Sequence, residues 1–306
     1  MARVHISEVI HADGIALITG AGHDVTCGWQ GGALDEDVGA ILIRTDPLSA
    51  AQMDHASGLQ VISKHGVGCD NIDIATARAR GIPVTITPGA NAGAVAEHTI
   101  GLIFATARRF GPLDRAVRVG EWPRGGAGIS DVAGRRLLIV GFGAVGQRVA
   151  KMAAALGLHV VIHAPGRNII GDYKMARTLE EGLRGADILS LHLPLTAQTS
   201  GMIGVAELRL LSPGAIVINT ARGGIVDEPA AAMLCAEGHL GGIGFDVFDG
   251  EPIHPDSPLL TIENAVLTPH AAAMSDDAKR AMAIMAAQNV LDGLAGRIDP
   301  AMLFAG

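Results

Sequence analysis

Three polar residues each stand just past an apolar run in the second half of the chain: Arg222 after IVINTA, Glu251 after DVFDG and His270 after VLTP. A guanidinium grips a carboxylate through two parallel bonds and polarises a neighbouring carbonyl. An imidazolium gives its proton to a carbonyl oxygen as hydride reaches the carbon, and a carboxylate beside it favours the protonated ring and fixes its tautomer. Arg, Glu and His on one rim are therefore the set needed to reduce a 2-keto acid. Singly each has a plainer reading: a solvated arginine, a turn glutamate before Pro252, one histidine among twelve.

What joins them is the glycine turn in LLIVGFGAVG at 137–146. Gly141, Gly143 and Gly146 stand at G-x-G-x-x-G spacing, where the first permits a tight turn, the second close approach of a pyrophosphate, and the third close packing of helix on strand. The pattern alone is weak in a chain with 41 glycines. Its context strengthens it: apolar residues recur at helical spacing at Val149, Met152, Ala153 and Leu156, Gly157 stops the helix, and HVVI at 159–162 reads as the next strand. That βαβ unit would offer free N–H groups and the positive end of a helix to a dinucleotide.

The positioning elements follow from the apolar runs. Residues 1 to about 90 alternate strand and helix: strands at 4–10, 40–43, 59–63 and 83–87, helices at 13–19 and 73–80. Further strands are expected at 137–140, 160–162, 188–191, 215–219, 242–246 and 265–268, the six that a doubly wound dinucleotide domain requires. A helix from about 276 to 293 is placed where it could return to the first domain. Alternating strands and helices with short connections mean parallel sheets whose C-terminal edges carry the ligand loops, among them KHGVGCDN at 64–71.

Composition bounds the partners. At 306 residues two domains are expected. Hydrophobic residues are 49% and aromatic ones 3%, so the core is aliphatic. Mean hydropathy is +0.35, yet the most apolar stretch, 92–107, contains Glu97 and His98 and falls short of the roughly 20 apolar residues of a span. No signal-peptide pattern opens the chain, and no membrane partner is expected. Cys27, Cys69 and Cys235 are odd in number and far apart, which argues for a reducing, cytoplasmic setting and against a zinc site or other metal. A net charge of −8 with no basic run argues against nucleic acid and for a small molecule.

The chain resembles the D-isomer-specific 2-hydroxyacid dehydrogenase family over nearly its whole length. KHGVGCDNID (64–73), PGANAGAVAEHTIGL (88–102), VGFGAVG (140–146), DILSLHLPLT (187–196), PGAIVINTARGGIVDE (213–228), GFDVFDGEP (244–252) and LTPHAA (267–272) carry the resemblance, in the family's order. It implies an α/β fold of two doubly wound parallel-sheet domains: a Rossmann cofactor domain at 96–275 inserted in a flavodoxin-like, discontinuous substrate domain at 1–95 and 276–306, with a homodimer formed through the cofactor domain. By that likeness Arg222 binds the substrate carboxylate and carbonyl, His270 donates the proton, Glu251 is its partner, and the N–H groups of Val67 and Gly68 hold the carboxylate. Cofactor contacts are expected at Ala144 and Val145 between the glycines, at His163 and Ala164, and at Leu193, Pro194 and Thr199. Thr220, Ala221, Asp246 and His270 complete them, Asp246 lying near the nicotinamide carboxamide.

One departure bears on the cofactor. NAD-using members end the second Rossmann strand in an acidic residue about 20 residues past the glycines, and here that position is Ala164, with Arg167 three residues on. NADP is therefore expected over NAD. Lys64 opens the substrate loop and could meet a distal anion such as a phosphate, with Arg44 and His65 as lesser candidates; Glu97 and His98 read as supports of interdomain packing, and His192 as a structural histidine. The expected activity is reduction of a small 2-keto acid, such as glyoxylate or hydroxypyruvate, to the D-2-hydroxy acid. The alternatives are 3-phosphoglycerate dehydrogenase and a dinucleotide-sensing, corepressor-like binding protein without turnover.

Overall fold

The computed structural model describes residues 1–124, 128–166 and 172–304. Within it the chain divides into two units, Met1–Asn91 with Met274–Gly306, and Ala92–Ala273.

In the first unit β1 (Arg3–Ile6), α1 (Ala12–Gly20), β2 (Asp24–Cys27), β3 (Val38–Ile43), α2 (Ala50–His55), β4 (Val61–Lys64), α3 (Ile74–Ala79) and β5 (Val84–Thr85) follow in sequence. All pairings are parallel, in the order β2-β1-β3-β4-β5, the flavodoxin-like order. The sequence VGAILI is buried throughout in β3. Ile41 and Ile43 enter the core that also holds Met53 of α2 and Ala77 of α3. Ala40 and Leu42 enter the opposite core, with Ala283, Ala286 and Val290. A strand covered on both faces reads as a continuous apolar run, which is why it was legible in sequence.

The second unit runs α4 (Ala92–Ala107), α5 (Phe110–Arg118), β6 (Arg136–Val140), α6 (Ala144–Ala155), β7 (His159–His163), β8 (Lys174–Met175), α7 (Leu179–Leu183), β9 (Ile188–Leu191), α8 (Val205–Leu208), β10 (Ala215–Asn219), α9 (Glu228–Ala236), β11 (Leu240–Phe245) and β12 (Ala265–Leu267). Its parallel sheet is ordered β12-β11-β10-β9-β6-β7-β8, which is the Rossmann order with one further strand. Residues of α4 and α6 pack on one face around Leu137, Ile139 and Ile218. Those of α7, α8 and α9 cover the other around Leu138, Leu189 and Val217. The chain then returns to the first unit as α10 (Asp276–Leu294). There Gly293 lies against Val61, whose side chain a Cβ would meet at 2.6 Å.

The two-sheet α/β fold matches the expectation, with differences at strand ends, such as β5 at Val84–Thr85 rather than 83–87, and in the elements counted. β1 stops at Ile6 rather than at residue 10. β2 and α2 were not anticipated; β2 is an edge strand with no fully buried residue, so it has no apolar run. The second sheet has seven strands rather than six, because the exposed two-residue β8 is too short to show a period.

Candidate active site

The glycine turn of the second unit has the shape its sequence implied. Gly141 lies at φ +94°, and a Cβ on it would come within 2.2 Å of the His192 carbonyl oxygen. Gly146 faces the Gly141 carbonyl oxygen, which its Cβ would meet at 2.3 Å. Gly143 is different: it is the N-cap of α6, makes no side-chain cap, and has nothing within 4 Å of where its Cβ would be. The first helical bond is donated by Gln147 to Gly143. The N–H groups of Ala144, Val145 and Gly146 thus have no partner among the described residues, leaving an open cradle of donors at the positive end of a helix. This is the shape and polarity that a pyrophosphate requires, so the residues present fit a dinucleotide.

Around that turn the other strand ends are tied down by short bonds. His163 closes β7, buried, with Nδ1 3.2 Å from the Ala176 carbonyl oxygen. Ala164 is buried next to it; Arg167 lies outside the described residues. After β9, His192 sits with Nε2 2.8 Å from Ser190 Oγ, and desolvation pushes its ring down to about 3. Leu193 and Pro194 follow in a loop that Thr199 closes by donating its hydroxyl to the Pro194 carbonyl at 2.7 Å.

Arg222 is set by a residue that sequence reasoning passed over. Asn219, the buried last residue of β10, donates Nδ2–H to the Arg222 carbonyl at 2.8 Å and accepts the Ala221 N–H at 3.0 Å. Its carboxamide therefore folds Thr220, Ala221 and Arg222 into one turn. The Arg222 guanidinium donates to the Ala221 carbonyl at 2.7 Å.

Glu251 and His270 are brought together directly. Glu251 Oε2 lies 2.8 Å from His270 Nδ1, and Oε1 accepts the Phe248 N–H at 3.2 Å. With Nδ1–H donated to the carboxylate, Nε2 is the ring nitrogen left to face a ligand. The loop carrying Glu251 is anchored by Glu228, a second residue missed in sequence, which accepts the Asp249 N–H at 2.7 Å. Burial pushes the Glu228 carboxyl up; the Asp249 N–H opposes this and the Asp249 charge adds to it, with burial prevailing. His270 is held at φ +50°, a left-handed conformation that a non-glycine residue adopts at a cost. Asp246, 1% exposed, imposes it: its carbonyl accepts the His270 N–H at 2.8 Å, and its carboxylate accepts Ala271 N–H at 2.7 Å and Ala272 N–H at 2.9 Å.

In the first unit the C-terminal sheet edge holds the loop 64–71. Lys64 is buried, its ammonium donating to the Arg44 carbonyl and the Asn71 side-chain oxygen. Val67 is exposed, and the N–H groups of Val67 and Gly68 have no hydrogen-bond partner among the described residues. Glu8, unremarked in sequence, accepts the N–H groups of Arg44 at 2.9 Å, Thr45 at 2.6 Å and Asp46 at 3.0 Å, and bonds the Thr45 hydroxyl. Desolvation opposes its ionisation, but these donors outweigh it and hold the carboxyl below the usual range. His65 is buried with Nε2 3.3 Å from the Lys279 carbonyl oxygen, and desolvation lowers it. His98 bonds inside its own unit, with Nε2 3.0 Å from Thr268 Oγ1. Among the described residues no group of His, Cys, Asp and Glu could hold a metal, and no helix is long and apolar enough to cross a membrane.

Comparison with known proteins places this geometry. Residues 100–272 match the family described as D-isomer specific 2-hydroxyacid dehydrogenase, NAD binding domain. A glyoxylate reductase of Aeropyrum pernix is 39% identical over 84% of this chain and 79% of its own. A D-3-phosphoglycerate dehydrogenase of Methanocaldococcus jannaschii is 32% identical over 97% of this chain, which spans 58% of that longer protein. Among solved structures, an NADPH-dependent glyoxylate/hydroxypyruvate reductase of Sinorhizobium meliloti superposes with a TM-score of 0.89 at 27% identity, covering 100% of this chain and 98% of its own.

Proposed function

Because the chain belongs to the D-isomer specific 2-hydroxyacid dehydrogenase family, we propose that it reduces a small 2-keto acid of the glyoxylate or hydroxypyruvate type to the D-2-hydroxy acid with NAD(P)H. The observation that carries this is the His270–Glu251 pair at 2.8 Å on the same sheet edge as the glycine turn. A sensor without turnover has no use for a proton donor so prepared.

Arg222 grips the keto acid's carboxylate and draws charge from its carbonyl oxygen. When bound, the reduced nicotinamide supplies the hydride that the keto carbon takes up. His270 gives the Nε2 proton to the carbonyl oxygen, which becomes the hydroxyl, and Glu251 holds Nδ1–H and offsets the positive charge of the ring beforehand. Gly143, Ala144, Val145 and Gly146 take the pyrophosphate. His163, Ala164, Leu193, Pro194 and Thr199 are assigned to the adenosine side, and Thr220, Ala221 and Asp246 to the nicotinamide side. The second unit is thus read as the cofactor domain and the first as the substrate domain, where the N–H groups of Val67 and Gly68 are assigned to a carboxylate.

NADP is favoured because Ala164 presents no carboxylate to a 2′-phosphate, and Arg167 is the cation nearest in sequence. The protein is read as a cytoplasmic homodimer acting on small molecules, without nucleic acid or membrane partners. All three cysteines are free thiols, in keeping with a reducing compartment. Exposed Phe110, Val117, Val119 and Trp122 on and after α5 supply apolar surface for a second copy. One observation favours a phosphorylated substrate as the second reading: the hydrogen bond of the Arg44 guanidinium among the described residues goes to the Met274 sulfur, a weak acceptor for five donors.

Initial rates of NADPH and, separately, NADH oxidation with glyoxylate, hydroxypyruvate and 3-phosphohydroxypyruvate test the reading. Turnover of the small acids, faster with NADPH, is expected. Turnover of the phosphorylated acid alone would move the assignment to the second reading, and tight cofactor binding with no turnover would support the sensor.

A further inference from the structure

Two adjacent residues of α4 each hold the residue two places before a group assigned to the reaction. His98 Nε2 lies 3.0 Å from Thr268 Oγ1, ahead of His270, and Thr99 Oγ1 lies 2.9 Å from Thr220 Oγ1, ahead of Arg222. The helix comes close enough because Gly244 of β11 leaves room: a Cβ there would meet Leu102 and Thr106 of α4 at 3.1 Å.

The hydrogen-bond directions are fixed by what each oxygen can do. The Thr99 hydroxyl gives its one proton to the Val95 carbonyl at 2.7 Å, so it accepts the proton of Thr220. The Thr268 hydroxyl gives its proton to Asp246 Oδ1 at 2.6 Å, so it accepts Nε2–H of His98. The same Asp246 holds His270 left-handed through its carbonyl and both carboxylate oxygens. His98 itself stands 3.5 Å from Oδ1. An unbroken directed chain therefore runs from His98 through Thr268 and Asp246 to the backbone of His270.

We propose that His98 is a positioning residue for proton transfer by His270, acting through Thr268 and Asp246, while its neighbour Thr99 positions Arg222 through Thr220. The inference rests on the reductase reading above. Without the Nε2–H of His98 the Thr268 hydroxyl is free to turn from Asp246, and the left-handed turn loses one of its fixed donors. Proton donation requires placement within about an ångström, whereas carboxylate binding by Arg222 does not pass through this chain. The His98 chain thus acts on kcat with KM unchanged, whereas the Thr99 chain acts on the KM of the keto acid as well, through the carboxylate that Arg222 grips.

The test compares His98→Leu, His98→Gln, Thr268→Val, Thr99→Val and the double variant His98→Leu/Thr268→Val with wild type, each checked for folding by thermal melt and for dinucleotide binding by nicotinamide fluorescence. His98→Leu and Thr268→Val should each lower kcat roughly tenfold with KM unchanged. His98→Gln, which keeps an N–H donor, should restore most of it, and the double variant should be no worse than either single. Thr99→Val should instead raise KM. Wild-type kcat in His98→Leu, no rescue by Gln, or equal loss in kcat and KM would overturn the proposal. If His98→Leu does not fold, wild-type kcat in Thr268→Val overturns it. A readout without cofactor separates this from failure of the function itself: in the free protein His98→Leu should shift the ring resonances of His270 and leave those of exposed His254 in place. An unmoved His270 signal would reject the chain even were wild type to reduce none of the acids.

Discussion

Gly223 lies beneath the Phe248 carbonyl so closely that a Cβ on it would stand 1.8 Å from that oxygen and 2.0 Å from its carbon. The contact presses the turn after β10, which carries Arg222, onto the loop after β11, which carries Glu251. Glu228 reinforces the same junction from α9 through the Asp249 N–H. The spacing of the loops that carry Arg222 and Glu251 is therefore set by backbone against backbone, while the Glu251 carboxylate holds the His270 ring.

Gly223→Ala cannot be absorbed by a side-chain rotation, because the obstructing atoms are main chain. We expect a loss of about 1–3 kcal/mol in stability and a fall in kcat/KM larger than that loss of folded protein explains. Denaturant unfolding beside steady-state kinetics checks this. Wild-type kinetics in a folded Gly223→Ala protein would mean that the junction does not set the site.

His270→Ala removes the proton donor without touching the glycine cradle. Turnover should drop by roughly 10²–10⁴, while NADPH binding, followed by fluorescence, stays close to wild type. Glu251→Gln keeps a hydrogen-bond partner for Nδ1 but not the charge, and should fall between the two. A His270→Ala enzyme with near-wild-type rate would reject the mechanism.

The desolvated His192 links the site to acid stability. Its folded value is about 3 against roughly 6.5 for a free histidine, so between those values the unfolded chain binds a proton that the folded one does not. Stability must then fall as the pH drops from about 6.5 towards 3, by up to about 1.4 kcal/mol per pH unit. Buried His65 and His5, both lowered by desolvation, contribute with the same sign. Melting temperatures of wild type and His192→Gln at pH 7 and pH 4.5 test it, the variant losing less; parallel losses would show that His192 does not carry the effect.

How far sequence could reach is explained by distance along the chain. Gly141, Gly143 and Gly146 were legible because they stand within six residues at one strand-to-helix turn, although Gly141 also fits against the distant His192 carbonyl. Arg222, Glu251 and His270 were legible as strand-end residues because β10, β11 and β12 announce themselves as apolar runs. Glu8 was not: the N–H groups it accepts lie 36 to 38 residues away and meet it only once β1 has paired with β3. His98 reaches Thr268 across 170 residues. Lys64 read as an anion site from its place in the loop, but its ammonium is engaged by the Arg44 carbonyl, 20 residues upstream, and by Asn71. Asn219 was near enough to notice, yet an Asn closing a strand has no pattern that separates it from any turn residue.

Cofactor choice turns on the end of β7. Ala164 is buried and uncharged there, and a carboxylate in its place would accept ribose hydroxyls and repel a 2′-phosphate. Ala164→Asp should therefore raise the KM for NADPH at least roughly tenfold, since unlike partners brought face to face with like charge cost several kcal/mol, while the KM for NADH holds or falls. Arg167→Ala should weaken NADPH alone, and less so at high salt, where screening already reduces the attraction. If Ala164→Asp leaves the NADPH to NADH ratio where wild type has it, the 2′-phosphate does not meet this strand end and the preference for NADP has lost its physical basis.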